Sequence, residues 1–417
     1  MVQENALSGA GIRRIIVKTG VILDDRQRFR GYQSMLNTLV QPKEKKVEYV
    51  ELIYDLIFVY IIGRNNSLLH NFSNGFVVPS AFLAYIMTTL AVIQIWNYST
   101  YYINIYGRHG VREHVFLFIN MFLLYFIGES TRADWQGYEL QYHIAWALIL
   151  INIAVQYLLE LRNHTESPEN RKRMIIMASI LLGEAIIVAV DIWVYRVWDT
   201  TWLLLAAILL SMCAVFGFRQ RKGLGFVDFP HLSERAMLYV VFTFGEMIIA
   251  IASYFEGDFS LHDTYFALMA FLIVAGLFLS YGVFYDHIID REQRTNGLYY
   301  MFLHIFIIFA LNNITNGLEF MAEEEISLMP KIVFLVASFV LFFVFLFALG
   351  ARYAKARCKK YDRFCLFAVL ISAGFAVLMC LLRNNMMLNI ALSVVFVFLL
   401  FAIIYHYGKE MEALKEV

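Results

Sequence analysis

A chain of 417 residues that is 60% hydrophobic and 16% charged cannot bury its apolar surface in its own core. Soluble domains run nearer roughly 45–50% apolar and about 25% charged. The 34 basic and 34 acidic residues cancel, so no overall basic field points to nucleic acid, and 37 Phe with 25 Tyr exclude a disordered chain. A mean hydropathy of +0.62 assigns the excess apolar surface to lipid.

The first segment, residues 1–46, carries nine Lys and Arg and lacks the apolar core and small-residue cleavage site of a signal peptide. Ile12–Ile22 and Tyr32–Val40 read either as short amphipathic helices on the membrane surface or as parts of a tail. Apolar runs long enough to span a bilayer then predict twelve helices. The first six are Val47–Leu68, Phe76–Ser99, Val115–Gly128 (extending back toward Arg112), Tyr138–Leu161, Met174–Val194 and Thr201–Phe218. The second six are Ala236–Phe255, Thr264–Tyr285, Gly297–Gly317, Lys331–Ala354, Asp362–Leu382 and Met386–Tyr405. Pro42, Pro79, Pro168, Pro230 and Pro330 all fall at or outside the ends of these spans, so no span is broken by proline.

With twelve spans, 29 of the 34 Lys and Arg fall on one side, leaving Arg64, Arg132, Arg196, Lys331 and Arg383 on the other. That asymmetry predicts a multi-pass protein of the cytoplasmic membrane with both termini cytoplasmic. The two sets of six start from the same side, and a shift of about 182 residues lays Tyr102-Ile-Asn104 on Phe284-Tyr-Asp286 and Arg112 on Arg294. The expected fold is therefore all-α, with two six-helix repeats at 47–218 and 219–408 and a tail at 409–417. The four cysteines show no paired spacing, so neither a disulfide framework nor a metal is expected, and no cofactor is implied.

Ionisable residues inside spans are the functional candidates, because a charge in hydrocarbon needs a partner, a cavity or a task. Glu48, Glu51 and Asp55 recur at i, i+3 and i+7, on one helical face. Glu48 suits the positive helix end, and Asp55 lies too deep for bulk water. Glu246 follows Gly245 near the middle of span seven, where the missing side chain invites close approach of span one. Span five repeats the pattern as Gly183-Glu184, with Asp191 two turns on. Asp55, Glu246, Glu51, Glu184 and Asp191 are thus candidates for binding a proton or cation, the alternative being static hydrogen bonds between helices.

Secondary candidates, for a gate or for support of the acids, are His231, Glu234, Arg235, Asn104, Asp286, Asn312, Asn313 and Asn316. His231 and Glu234 are one turn apart in a loop before span seven, suited to a relay; a Ser233 cap or a Glu234–Arg235 pair is the competing use. The asparagines either line a vestibule or join helices. Asp286, His287 and His304 raise a membrane-embedded enzyme acting on lipid, although no H-E-x-x-H, G-x-S-x-G or phosphate loop supports it. Trp96-Asn-Tyr98 and Trp198 read as aromatic anchors at the membrane interface.

The run Val47-Glu-Tyr-Val-Glu51-Leu-Ile-Tyr-Asp55-Leu-Ile-Phe-Val resembles the opening motif of the low temperature requirement protein A (LtrA) family. His231-Leu-Ser-Glu234-Arg235 leading to Phe244-Gly-Glu246 is similar to its second signature, and Trp96-x3-Thr100-x-Tyr102-x-Asn104 to its second-span pattern. Ile53, Met247 and Gly63-Arg64 depart from those patterns. The resemblance covers about Lys45 to Tyr407 and implies a bacterial polytopic membrane protein tied to growth in the cold, without an assigned activity. Taken with the acids, it favours transport or conduction of a small solute or cation. A lipid enzyme and a non-transporting sensor or assembly protein are the alternatives. Expected partners are the bilayer and a small cation, proton or small molecule, with a homodimer as a candidate assembly and no nucleic acid.

The charge asymmetry makes a direct prediction. Cysteine introduced at Ser260 should be labelled by an impermeant reagent on intact cells, and at Arg357 only after permeabilisation; the reverse pattern at either site means that a span is miscounted.

Overall fold

The computed structural model describes residues 45–413 apart from 109, 132–136, 164–167, 199, 220–226, 256–259, 324 and 356–360. The helices expected at Ile12–Ile22 and Tyr32–Val40 lie outside the described residues. Twelve α-helices run through the described part. They are α1 (Tyr49–Asn65), α2 (Pro79–Tyr106), α3 (Val111–Ser130), α4 (Glu139–Glu160), α5 (Pro168–Trp198) and α6 (Trp202–Arg219), then α7 (Phe229–Ile251), α8 (Leu261–Val283), α9 (Leu298–Ala322), α10 (Leu328–Tyr353), α11 (Tyr361–Leu381) and α12 (Met386–Ala413). Among the described residues nine of them, all except α1, α6 and α7, are long and apolar enough to cross a membrane.

Local chemistry starts these helices where they start. Pro79 and Pro230 occupy the first turns of α2 and α7, where the missing N–H costs nothing, and Pro168 opens α5. Ser260 caps α8 by accepting from the backbone N–H of His262 and Asp263. Between α1 and α2 the chain makes a 3₁₀ turn (Asn66–His70) and a small hairpin, β1 (Phe72–Ser73) against β2 (Phe76–Val77). Its turn residues Asn74 and Gly75 take φ of 53° and 79°, the left-handed pair that a two-residue hairpin loop requires.

Two boundaries depart from expectation in a way that shapes the site. Span seven was expected to begin at Ala236, yet α7 begins at Phe229 and takes His231, Ser233 and Arg235 into its first two turns, all buried. Its cap is Asp228, whose side chain accepts from the His231 backbone N–H, while the Ser233 hydroxyl donates to the Pro230 carbonyl. α2 likewise runs seven residues past Ser99, keeping Thr100, Tyr102 and Asn104 buried in helix. Hydropathy ends a span where charge begins, whereas a helix continues wherever its polar side chains find partners inside.

Within the first six helices α3 packs on α1 and α4, and α5 on α4 and α6; within the second six α9 packs on α7 and α10, and α12 on α8 and α11. The sets meet where α7 lies against α1 and α2, and where α9 lies against α2 and α6. The outward face of α11 stays apolar and exposed, with Leu366, Phe367, Val369, Leu370 and Val377 all more than half accessible, as suits a lipid-facing helix.

α1 and α7 do approach closely, but the glycine that permits it is Gly63. A Cβ there would stand 2.2 Å from Glu246 Oε1, whereas one on Gly245 would meet nothing within 4 Å. Gly276 on α8 is tight: its Cβ would lie 2.6 Å from Val397 Cγ1 on α12. Gly276→Leu should therefore lower thermal stability and yield by an overpacking cost of about 1–3 kcal/mol. Gly245→Leu should leave both near wild type, and a melting curve showing the opposite ranking would contradict this packing.

Candidate functional site

Three helices converge on Arg235. On α1, Glu51 and Asp55 are four residues apart and so share a face, which points at α7. On α7, His231 and Arg235 have the same spacing and face back. Arg235 Nη1 lies 3.3 Å from Glu51 Oε2, Arg235 Nε donates to Asp55 Oδ2 at 3.4 Å, and Arg235 Nη2 pairs with Asp55 Oδ1. From α2 the Trp96 indole N–H donates to the same Asp55 Oδ1 at 2.7 Å. Asp55 and Arg235 are 0% exposed, His231 1% and Glu51 2%, so this is a charged cluster inside the helix bundle.

Removing such charges from water costs several kcal/mol per ion, and only excellent geometry offsets it. The guanidinium fork supplies that geometry by meeting both carboxylates at once. Asp55 lies six residues into α1, about 9 Å along its axis, so retreat to the membrane surface would require unwinding the helix.

Asn104 sets the proton position on His231. Its Oδ1 accepts from the Asp228 backbone N–H at 3.1 Å, which turns Nδ2 toward the Asp228 carbonyl at 2.7 Å and toward His231 Nδ1 at 3.0 Å. An amide N–H facing Nδ1 needs a lone pair there, so the ring proton sits on Nε2, which is 3.4 Å from Glu51 Oε2. The backbone of α7's first turn thus orients an amide on α2, which orients an imidazole toward an acid on α1. Beside it the Tyr54 and Ser99 hydroxyls bond at 2.7 Å, and Asn120 Nδ2 donates to Tyr54 at 3.4 Å.

Of the residues marked by sequence, Glu51, Asp55, His231, Arg235 and Asn104 are brought together. Glu234, half-buried, is bypassed, since the Arg235 guanidinium turns to α1 rather than to its neighbour. Glu48 leaves the common face and lies 3.4 Å from His114 of α3. Glu246 sits at the far end of the α1–α7 contact, against Gly63, and does not pair with Asp55. Glu184 accepts from Tyr98 at 3.0 Å, while Asp191, on the same helix, is 2.8 Å from His143 of α4. His143 Nδ1 faces the Glu139 carbonyl and donates to it.

Asn312, Asn313 and Asn316 form a buried knot with Tyr85 and Asn66. Tyr85 donates to Asn313 at 2.6 Å, Asn312 donates to Tyr85 at 2.9 Å, and Asn316 donates to Asn66 at 2.9 Å. They join α9 to α2 and to the end of α1 rather than standing open. The residues of the enzyme alternative do not assemble: the Asp286 side chain is exposed on a π turn, and His304 is buried between the Tyr300 carbonyl and the Tyr281 hydroxyl. Trp96, read from sequence as an interfacial anchor, is 0% exposed and part of the cluster, whereas Trp198 is 60% exposed. The one signal that could have moved Trp96 inward was its place in a largely polar run, Gln94 to Asn104, whose polar side chains needed partners.

The family model described as bacterial low temperature requirement A protein matches residues 46–401. No curated protein and no solved structure matches the chain. Since that match spans most of the chain and contains every residue of the Arg235 cluster, this protein belongs to the bacterial LtrA family.

Proposed function

We propose that this LtrA protein moves a proton or small cation across the cytoplasmic membrane, at the interface between two six-helix halves whose termini are cytoplasmic. The observation that carries the reading is the cluster itself: four ionisable side chains held at 0–2% exposure by three helices from both halves. A charged residue at the centre of a membrane helix costs about 2.5–3.5 kcal/mol, and such residues concentrate where ions or protons pass.

The arrangement along the helix axes supports it. Beyond Asp55, α1 places Phe58 against Tyr239 of α7 at 6.4 Å between ring centroids, and Tyr239 against Trp96 at 4.5 Å. Past that aromatic layer polar groups resume, with Asn65 meeting Thr89 at 3.3 Å and Glu246 against Gly63. Two polar regions separated by a thin aromatic layer suit access from one side at a time. In this reading Asp55 and Glu51 exchange the cation or proton with Arg235 as internal counter-charge, His231 relays protons through Nε2, and Glu246 receives on the far side.

A second reading has a specific observation behind it: both Asp55 oxygens are engaged by Arg235, as in a clamp that only holds the halves together. Flux in proteoliposomes separates the two. Asp55→Asn leaves a buried guanidinium short of one anion, and should lower stability by on the order of 3 kcal/mol. Asp55→Asn combined with Glu51→Gln and Arg235→Gln removes the guanidinium and both of its acids and should recover most of that stability. Under the transport reading flux of protons or monovalent cations stays at least about tenfold below wild type in the recovered triple variant, and Glu246→Gln lowers it with little change in melting temperature. A stable triple variant with undiminished flux assigns the cluster to the clamp.

A further inference from the structure

A separate cavity lies between α2, α5, α6 and α9, away from Arg235. It offers about 50 Å³ and is lined on one wall by Gln94, Asn97, Tyr98 and Tyr101 of α2. The opposite walls are apolar and include Met177, Met212 and Met301, side chains that adapt to the shape of what they meet.

The polarity of that wall follows from its hydrogen bonds. The Ser211 hydroxyl donates to the Ile208 carbonyl at 2.9 Å, and the Tyr98 hydroxyl donates to Glu184 Oε2 at 3.0 Å. Both hydroxyl oxygens are left to accept, and both take Gln94 Nε2, at 2.6 Å from Tyr98 and 2.7 Å from Ser211. The Gln94 amide is therefore fixed with its N–H groups consumed and its Oε1 bare. Gln94 Oε1, Asn97 Oδ1 and the Tyr101 hydroxyl have no hydrogen-bond partner among the described residues, although these side chains are only 3%, 8% and 3% exposed. Buried polar groups without partners cost about 1–3 kcal/mol each; a donor-bearing occupant would answer the two amide oxygens, and the Tyr101 hydroxyl can accept or donate.

We propose that this cavity binds a small primary alkylammonium, with its N–H groups on Gln94 Oε1 and Asn97 Oδ1, its charge over the faces of Tyr98 and Tyr101, and its short alkyl chain among the methionines. Three N–H donors on one atom match a wall of acceptors, and aromatic faces favour a cation over a neutral donor. A bound ammonium favours the ionised form of Glu184, one hydroxyl behind the wall, whose carboxylate then supplies the compensating negative charge and keeps the Tyr98 proton turned away from Gln94. Glu184 is a positioning residue. The volume equals roughly three to five times the 10–15 Å³ that one water needs, which suits an occupant of only a few heavy atoms. Binding stands on its own; that the ammonium is cargo rests on the transport reading above.

The test uses the full chain in phosphatidylcholine nanodiscs, free of primary ammonium head groups, with n-propylammonium chloride as probe and 1-propanol as its near-isosteric neutral control. Calorimetric titration should give saturable propylammonium binding, at least about tenfold tighter than for propanol. Glu184→Gln and Asn97→Leu should each weaken propylammonium at least about tenfold, and Glu184→Gln should leave propanol within about twofold, a difference that a merely disturbed fold would not produce. Absence of saturable binding to wild-type protein up to about 10 mM, equal affinity for propanol, or indifference to both substitutions overturns the proposal. Binding without propylammonium flux keeps the site and removes its role as cargo site; cation flux through wild-type protein that binds no propylammonium keeps the transport reading and removes the site.

Discussion

The Arg235 guanidinium, buried between Glu51 and Asp55, is the interaction that organises this molecule. It joins residues 180 positions apart, so α1 and α7 are held in register before weaker contacts count. Its desolvation has to be offset by both acids, and the Trp96 indole, donating to Asp55, ties α2 into the same place. Once α1 and α7 are aligned there, their far ends are set: Gly63 falls opposite Glu246, and a side chain larger than hydrogen would collide with the carboxylate. Polar attraction at one end and close backbone approach at the other thus position a single helix pair.

Around that pair the molecule sorts its polar groups by depth. Hydrocarbon offers no hydrogen bonds, so each buried polar side chain has to be answered by another helix. Asn104, Asp228 and His231 answer one another near the start of α7, and Tyr85 with the asparagines of α9 does the same at the other end. Between them Phe58, Tyr239 and Trp96 form a layer in which only the indole N–H and the phenol carry polarity. Glu184 and Asp191 lie off this axis, each with its own partner, so the acids of the bundle serve several sites rather than one pathway. The alkylammonium cavity beside Tyr98 belongs to this second group, where the direction of donors and acceptors, more than net charge, decides what can bind.

Much was legible in the chain itself. Composition and run length determined a multi-helix membrane protein, and prolines marked the starts of α2, α5 and α7, because hydration cost and the missing proline N–H are local properties that act in any fold. The four-residue spacing of Glu51 and Asp55 put both acids on one face, and the separated motifs around Asp55, Trp96 and Arg235 marked the family. Tertiary structure alone decided what those faces meet. Arg235 was legible as a basic residue at a span boundary and became an internal counter-ion, Trp96 moved from the expected interface to the centre, and the Asn104 amide fixed which nitrogen of His231 carries the proton. Glu184 and Asp191 share a helix yet face α2 and α4, and Gly63 and Gly276 proved tight where Gly245 is open. Periodicity orients a side chain about its own helix axis; which helix stands opposite depends on contacts between distant parts of the chain, and the energy of a buried charge depends wholly on that neighbour.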